Sequence, residues 1–550
     1  MPAAAQYLKP NVSIEPLYNQ WYAWWYLIPP QTAPMFVANL HLRIMKSFVS
    51  APDVHVAALK NPALAGGPYI NYPASRAKEI ERLIDRTVKE EAASLRFVEA
   101  LAELEKLLAG ATGHSLEPLY PKVPELLRGY VELTYDLQHR ATARFIEPLL
   151  YRSPHYRESS QSMVLQLITA DARPYVFSTP RLDTEGAIHL HRPFRDPAVD
   201  ALFAMRSTPG SVDEIAAALG IEPRDAGVFA SLFTDQPPRR PHGYTAESSG
   251  GTRYTGDGVR IRYFGHACVL IESRDVAILT DPVISYDFST ELPRFTHCDL
   301  PDRIDYVLLT HGHADHLMLE TLLQLRTRIG TIVVPRSGGG YLADPSLGLL
   351  LRNVGFERVI EIEDFDRIPI PGGALTGLPF LGEHSDLNIR SKTAHLVQLE
   401  GKAMLMAADS NAIEPRLYDH IHAAVGPIDV MFLGMESEGA PMSWMYGPLL
   451  HTPMARKMDQ SRRVNGSNCE CAIDIVQRLR PAQVYVYAMG REPWLRHVMA
   501  IDYNEESPQL TGARKLLEYC RGQGITAGMP YIRDELVLRA GPTAQRDQAA

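Results

Sequence analysis

YVLLTHGHADHLMLETLLQ, residues 306–324, joins an apolar run to a knot of metal-capable side chains. The run from Tyr306 to Leu309 stops at Thr310, then His311, His313, Asp315 and His316 follow, and an amphipathic helical period begins behind them. The elements expected are strand, loop and helix. A strand end fixes the backbone, Gly312 and Ala314 let the loop turn tightly, and alternate side chains converge from a rigid base. Neutral imidazoles and a carboxylate meeting at one point suit a divalent transition metal. Lone histidines on a polar loop are common, but three with an aspartate directly behind a buried strand favour a metal site.

The spacing HxHxDH resembles the signature of the metallo-β-lactamase superfamily, whose αββα sandwich holds one or two metals at the edge of its sheets. That resemblance implies the fold but not one reaction, because the superfamily includes hydrolases, lactonases, nucleases and iron-dependent redox enzymes. The fold class expected is therefore α+β. A metallo-β-lactamase sandwich occupies 259–540, preceded by a mixed, largely helical N-terminal domain.

Around the motif the chain divides by pattern. Residues 236–258, QPPRRPHGYTAESSGGTRYTGDG, lack an apolar period and read as a linker. Beyond it, RIRYFGHACVLIES and VAILTDPVIS are β-rich runs separated at Arg274–Asp275, as in a first hairpin. Asp281 ends the second run, either as a support for metal ligands or as a turn former; His266 and His297 have no assigned role. TIVVP, a helical stretch near 347–353, VIEI, HLVQLEG and KAMLMAADS continue the strand and helix signals.

Upstream, residues 1–158 read as helical. One long helix is expected from Ser75 to Gly110 and a second after Pro124, carrying Leu126, Leu127, Val131, Leu133 and Leu137. Their unpartnered stripes and the aromatic run WYAWWYLI (Trp21–Ile28) suggest an interdomain or dimer contact and a role in docking a partner. The run is too short to span a membrane and ends at Pro29–Pro30. Residues 159–235 complete this region as a small α+β segment. SMVLQLI, PYVF and AIHLH read as strands, with His189 and His191 on a solvent face, and Ser211 and Glu214 as a capping box.

A chain of 550 residues is too long for one core, and 45% apolar with 22% charged residues is an ordinary globular composition. A net charge of -9 and a pI near 6.1 leave no basic footprint for nucleic acid. Five cysteines without framework spacing, and no secretory signal, point to a reducing cytoplasm. Cys469 and Cys471 read as small residues entering a helix rather than as ligands.

A binuclear site needs ligands from other strand ends. Glu383 and His384 follow the apolar LPFL, and Asp409 follows MLMAA. If His384 binds, zinc and hydrolysis fit. If Glu383 binds, three carboxylates face two cations, and such a hard set suits iron and oxygen chemistry.

GEHSDLNIRSKTAHLV, MAADS, FLGMESEGAPMSWMYGPLL, YAMGREPWLRH and the opening KPNVSIEPLYNQWYAWWY are similar to the diiron aminoacyl β-hydroxylases of nonribosomal peptide pathways. The resemblance implies two irons, with His311, His313, Glu383 and Asp409 around one and Asp315, His316 and Asp409 around the other. Glu383 and Asp409 also stand as its catalytic residues. The late histidine usual in the superfamily is absent from VYVYAMG, leaving Glu436, Glu438, His451 or solvent for that position. The implied reaction is O2-dependent β-hydroxylation of an aromatic amino acid held as a thioester on a peptidyl carrier protein, in antibiotic biosynthesis. No GxGxxG or P-loop is present, so the electrons come from a separate reductase or ferredoxin. A homodimer is expected. The alternative is a zinc hydrolase of an ester, lactone or amide.

Overall fold

The computed structural model describes residues 5–239, 244–246, 252–437 and 439–539. Valine- and leucine-rich runs cut by Gly and Asp turns make the strands of the C-terminal half: β1 (Val259–Gly265), β2 (Cys268–Glu272), β3 (Ala277–Thr280), β4 (Ile304–Leu308), β5 (Ile329–Pro335), β6 (Val359–Ile362), β7 (Arg367–Ile370), β8 (Gly373–Leu378), β9 (Ala394–Leu399), β10 (Lys402–Met406), β11 (Val430–Gly434), β12 (Gln483–Tyr487), β13 (Thr526–Gly528) and β14 (Asp534–Leu538). One sheet runs β6-β5-β4-β3-β2-β1-β14 and the other β7-β8-β9-β10-β11-β12-β13. Each is parallel on one side (β3 to β6, β10 to β13) and antiparallel on the other. Val269, Ile271, Val333, Val397, Met404 and Phe432 pack between the sheets, each side chain contributing about 2 kcal/mol by leaving water. The loops after β3, β4, β8 and β10 meet at one edge of this sandwich.

The expected first hairpin is three strands. RIRYFGHACVLIES folds back on itself at Gly265 and His266, both at positive φ (114° and 52°). A Gly-His pair carries none of the usual Asn, Asp or Pro turn chemistry, so periodicity alone ran through it.

The N-terminal region departs further from its reading. Trp21–Tyr22, Val12–Tyr18, Gln161–Leu167 and Ala187–Leu190 form a four-stranded sheet, so SMVLQLI and AIHLH are strands as expected. PYVF is not a strand; its Val176 is bonded to the carbonyl of His497. His191 is exposed as expected, whereas His189 is half-buried beside Asp183. Ser211 accepts from the Glu214 N–H and caps helix Val212–Leu219. The long helix is two, Ala77–Glu90 and Ala92–Ala109, and Ser75 caps neither. The break falls at Glu91, whose buried carboxylate is held by Ser94, Ser160 and Arg157. The segment after Pro124 is a short 3-10 turn followed by a hairpin, Val131–Tyr135 with Ala141–Phe145, and Leu137 at its turn is fully exposed. Val131, Thr134 and Tyr135 favour a strand, and Gly129 stops the helix that the leucines suggest.

The apolar stripes find partners inside the chain: Leu83, Phe97, Leu101 and Leu104 share one core with Phe36, Leu127 and Phe145. The aromatic run is buried too, so it and most of both stripes are spent on intrachain packing, while Leu126 and Leu137 stay exposed. It contacts the sandwich, as an interdomain segment should. Arg173 bridges Glu15 on one side to Glu320 on the other (3.0 and 2.8 Å), and the Tyr22 hydroxyl donates to Glu320 (3.0 Å). Glu320 lies in helix Leu319–Leu325, directly behind the histidine motif. Among the described residues no helix is long and apolar enough to cross a membrane.

Candidate metal centre

His311, His313, Asp315 and His316 sit in the loop leaving β4. His311 Nε2 lies 3.1 Å from His313 Nδ1, and His313 Nδ1 lies 2.9 Å from Glu383 Oε1. His316 Nε2 lies 3.1 Å from Asp409 Oδ2 and 3.5 Å from Asp315 Oδ2, with His311 Nε2 3.6 Å from the same Asp409 oxygen. The potential ligand atoms of His311, His313 and Glu383 fall within 4.8 Å of one another, as do those of His311, His316 and Asp409, and of His266, Asp315 and His316. These groups overlap through His311 and His316, so their donor atoms form one continuous cluster. All six residues named from the sequence are brought together.

Neighbouring groups fix how these side chains point. Asp281, at the end of β3, accepts from the Thr310 N–H (2.8 Å), the Thr310 hydroxyl (2.7 Å) and His316 Nδ1 (2.8 Å). With Nδ1 donating, His316 presents Nε2 to Asp409. His266 works similarly on Asp315. Its Nδ1 accepts from the Gly490 N–H (3.0 Å), so Nε2 carries the proton donated to Asp315 (3.0 Å). His297 is buried elsewhere, between Arg206 and Arg328. The Tyr446 hydroxyl stands 2.8 Å from His313 Nε2 and 2.8 Å from His384 Nδ1. His384 is thus the partner of a tyrosine, and among the described residues it joins none of the converging donor groups. Tyr446 had no signal in the sequence, being one aromatic in an apolar helix.

Glu383 is carried in by a contorted loop, with Gly382, Glu383, Ser385 and Asp386 at φ values of 95°, 67°, 53° and 59°. Three non-glycine residues of this kind within four positions would relax unless their contacts held them, and such strain gathers at functional sites. Glu436 faces the same space, whereas His451 is on the surface beside Glu105 (3.4 Å) and supplies nothing here. Glu438 lies outside the described residues.

The electrostatics test whether cations fit. Burial, then the charges of Asp409 and Asp315, push the Glu383 carboxyl well above its ordinary range. Glu436 is raised by burial and the same carboxylates. Burial and neighbouring imidazoles hold His311 well below its ordinary value, and His313 is lowered to about 4. His316 is the exception: burial opposes its charge, but Asp409, Asp315 and Asp281 raise it well above the usual value. Asp409 Oδ1 is buried and makes no hydrogen bond. Buried carboxylates this close are mutually repulsive unless cations lie between them, and neutral imidazoles are ready to bind those cations. The donor set fits a pair of metal ions.

The cluster floors a cavity of about 560 Å³. Asp315, Glu383, Asp409 and Glu436 lie on one side, and Phe177, Trp444 and Met445 form an apolar wall. Trp24, Phe177 and Trp444 make edge-to-face contacts at 4.9 and 5.4 Å, so the N-terminal aromatics continue into that wall. Trp25, fully buried, covers Gly312 between His311 and His313.

Two mixed sheets with imidazoles and carboxylates at their meeting strand ends define a metallo-β-lactamase-fold metalloprotein. The description "Diiron non-heme beta-hydroxylase N-terminal domain" matches residues 7–237, and "Beta-lactamase superfamily domain" matches residues 277–487. The chain is 40% identical over 536 residues to 4-amino-L-phenylalanyl-[CmlP-peptidyl-carrier-protein] 3-hydroxylase of Streptomyces venezuelae, covering 96% of this chain and 99% of that protein. The crystal structure of CmlA, a diiron beta-hydroxylase from Streptomyces venezuelae, superposes with a TM-score of 0.90 at 39% identity, covering 98% of this chain and 100% of that one. A metal-dependent hydrolase of Geobacillus thermodenitrificans is 27% identical over 202 residues, covering 35% of this chain and 83% of that protein. The chain belongs to the diiron non-heme β-hydroxylases. It is a hydroxylating enzyme whose cofactor is a pair of iron ions, and the zinc hydrolase alternative is set aside.

Proposed function

We propose that the protein hydroxylates the β-carbon of an aromatic amino acid held as a thioester on a peptidyl carrier protein, during nonribosomal synthesis of an antibiotic. The observation that carries this reading is the cavity itself, which puts Phe177 and Trp444 in one lining with the carboxylate-rich cluster. The relative's named substrate, an aminoacyl group on a carrier protein, supports it. His311, His313, Glu383 and Asp409 would hold one iron, and Asp315, His316 and Asp409 the other. The diiron pair supplies the O2 reduction and C–H cleavage that no side chain here performs.

The chain's own residues do the rest. Asp281 and His266 aim His316 and Asp315, and Tyr446 fixes His313 from behind. Trp25 and Tyr26, stacked at 4.4 Å, close the loop against water. Phe177 and Trp444 flank an aromatic side chain and leave its β-carbon toward Glu383 and Asp409. A sealed site protects a reactive centre from wasteful side reactions.

Residues 1–235 would act as one N-terminal unit, with 236–258 as linker to a catalytic domain at 259–540; the pairing of Val12–Tyr18 with Gln161–Leu167 supports this. A separate reductase or ferredoxin would deliver electrons. The five cysteines are free, which supports a reducing cytoplasm. A homodimer is proposed on the apolar Tyr120, Leu126 and Leu137 left exposed near the N-terminal hairpin, and sedimentation showing a monomer would refute it. The deciding experiment supplies the iron-loaded protein with aminoacyl carrier, reductant and labelled O2. One labelled oxygen on the β-carbon is expected. Thioester cleavage without O2, by protein that purifies with zinc, would defeat the reading.

A further inference from the structure

Two of the stretches that line the cavity reach the surface as lips. One is the loop Asn61–Tyr69, with Ala63, Leu64, Ala65 and Pro68 exposed and Lys60 just before it. The other is helix Met442–Tyr446 with helix Arg456–Ser461 beside it. The lips are tied together, since Trp444 Nε1 donates to the carbonyl of Gly66 (2.8 Å). The second lip is itself braced, since the Ser443 N–H and hydroxyl both donate to Asp459 at 2.7 Å. Residues 454–463, MARKMDQSRR, carry Arg456, Lys457, Arg462 and Arg463 against one acid, Asp459, on a chain whose net charge is -9. Arg456, Lys457 and Lys60 are exposed and make no ion pair among the described residues, and Met458 is 56% exposed.

We propose that helix Arg456–Ser461, braced through Asp459 on the lip helix Met442–Tyr446, and the lip loop that carries Leu64 are where the carrier protein docks. The proposal rests on the carrier-tethered reading above and adds the surface that performs it. An acylated phosphopantetheine arm is joined to its carrier through an anionic phosphodiester, and the arm must pass between these lips to bring its thioester to the cavity floor. The carrier therefore stands on the rim while its cargo is inside. A partner with an acidic face around its modified serine meets Arg456, Lys457 and Lys60 with complementary charge, and Met458 and Leu64 give it apolar contact. Charges around such a rim steer association and fix orientation, so they act on binding more than on the chemical step.

The test compares R456E/K457E with R274E/K402E. The second pair changes net charge equally, with Arg274 in the β2–β3 turn and Lys402 opening β10, at the far end of strands whose other ends carry the site. Iron content and circular dichroism confirm that each variant is folded and loaded. Binding to a peptidyl carrier domain loaded with 4-aminophenylalanine is measured by titration, and turnover is measured both on that carrier and on 4-aminophenylalanyl pantetheine, which lacks the carrier. R456E/K457E is expected to weaken carrier binding by about tenfold or more, with R274E/K402E and all turnover of the pantetheine thioester within about twofold of wild type. Adding M458D should weaken carrier binding further. Equal carrier affinity in the two charge pairs would overturn the docking surface while leaving the substrate reading intact. Wild-type protein that neither binds nor hydroxylates the loaded carrier, yet hydroxylates free 4-aminophenylalanine, would remove both.

Discussion

Gly312→Ala should disable the metal loop although it removes no ligand. A Cβ at this position would stand 2.1 Å from Cε3 of Trp25 and 2.3 Å from its Cδ2. Carbon atoms rest at about 3.5–4.0 Å, so the loop or the indole must move by roughly 1.4 Å or more. Gly312 is not at positive φ, which makes the effect purely steric. Trp25 is fully buried and stacked on Tyr26 at 4.4 Å, so the indole has no room to yield. Overpacking of this kind costs about 1–3 kcal/mol, and a clash with three ring atoms belongs at the upper end. Metal ligands tolerate displacements of only about 0.2 Å, so a shift of His311 or His313 by even half the required distance should lower iron occupancy severely. The assay is iron content after anaerobic reconstitution, paired with urea unfolding. Gly312→Ala alone should lose most of its iron and roughly 3 kcal/mol of stability. Combined with Trp25→Leu, it should regain iron, and the double-mutant cycle should give a coupling of 1 kcal/mol or more (roughly) between two residues of different domains. Wild-type iron content and an unchanged urea midpoint for Gly312→Ala would refute the reasoning.

Glu383→Gln should bind fewer than two irons under the same reconstitution while His384→Gln keeps both, and the opposite pattern would return the ligand position to His384. Tyr446→Phe strips His313 Nε2 and His384 Nδ1 of their partner, so iron affinity should fall by about 10–100-fold and stability by about 1–3 kcal/mol, measured by competition with a chelator and by urea unfolding. Glu147, buried where its carboxylate accepts from Gln31 and the Ser346 N–H, is raised from 4.5 to about 7, burial being the main cause. The folded protein holds this proton after the unfolded chain has released it. Its contribution is full below about pH 4.5 and is lost as pH rises through 7, by roughly 3 kcal/mol. Glu147→Gln should therefore raise the melting temperature at pH 8 and leave it little changed at pH 5, and an equal effect at both values would count against this account.

The sandwich and its cluster were legible because each ligand sits where a strongly patterned strand ends. The loops behind MLMAA and LPFL stand out by polarity and the histidine motif by density, but the choice between Glu383 and His384 was left open by the residues and made by the family resemblance. What orients those ligands was not legible. His266 reaches Asp315 only because a Gly-His turn folds β1 onto β2, and Tyr446 reaches His313 across 133 positions of sequence. The N-terminal misreadings have a common cause in burial. Leucines after Pro124 fit a helix until β-branched neighbours and a hairpin partner decide otherwise, and the Ser75–Gly110 helix breaks where a buried carboxylate finds its partners. Tertiary context outweighs a few tenths of a kcal/mol of propensity per residue.

The N-terminal unit is part of the metal site's mechanics. Glu320 begins the helix that carries the histidine loop, and it is fixed by Arg173 and Tyr22 from the other unit, while Trp25 presses on Gly312 from above. The loop is therefore held at both ends of its histidine motif by residues more than a hundred positions upstream. Hydrolysis at a superfamily site needs solvent to reach the metals. Hydroxylation gains from limiting that access, and Trp25 covers the loop between His311 and His313 on the side away from the cavity's acidic residues. The same cover continues through Trp24 and Phe177 into the wall of the cavity. In the proposed pose, a substrate side chain against Phe177 and Trp444 would touch the aromatic framework that continues to the metal loop. Ordering that wall and ordering the ligands are one packing event.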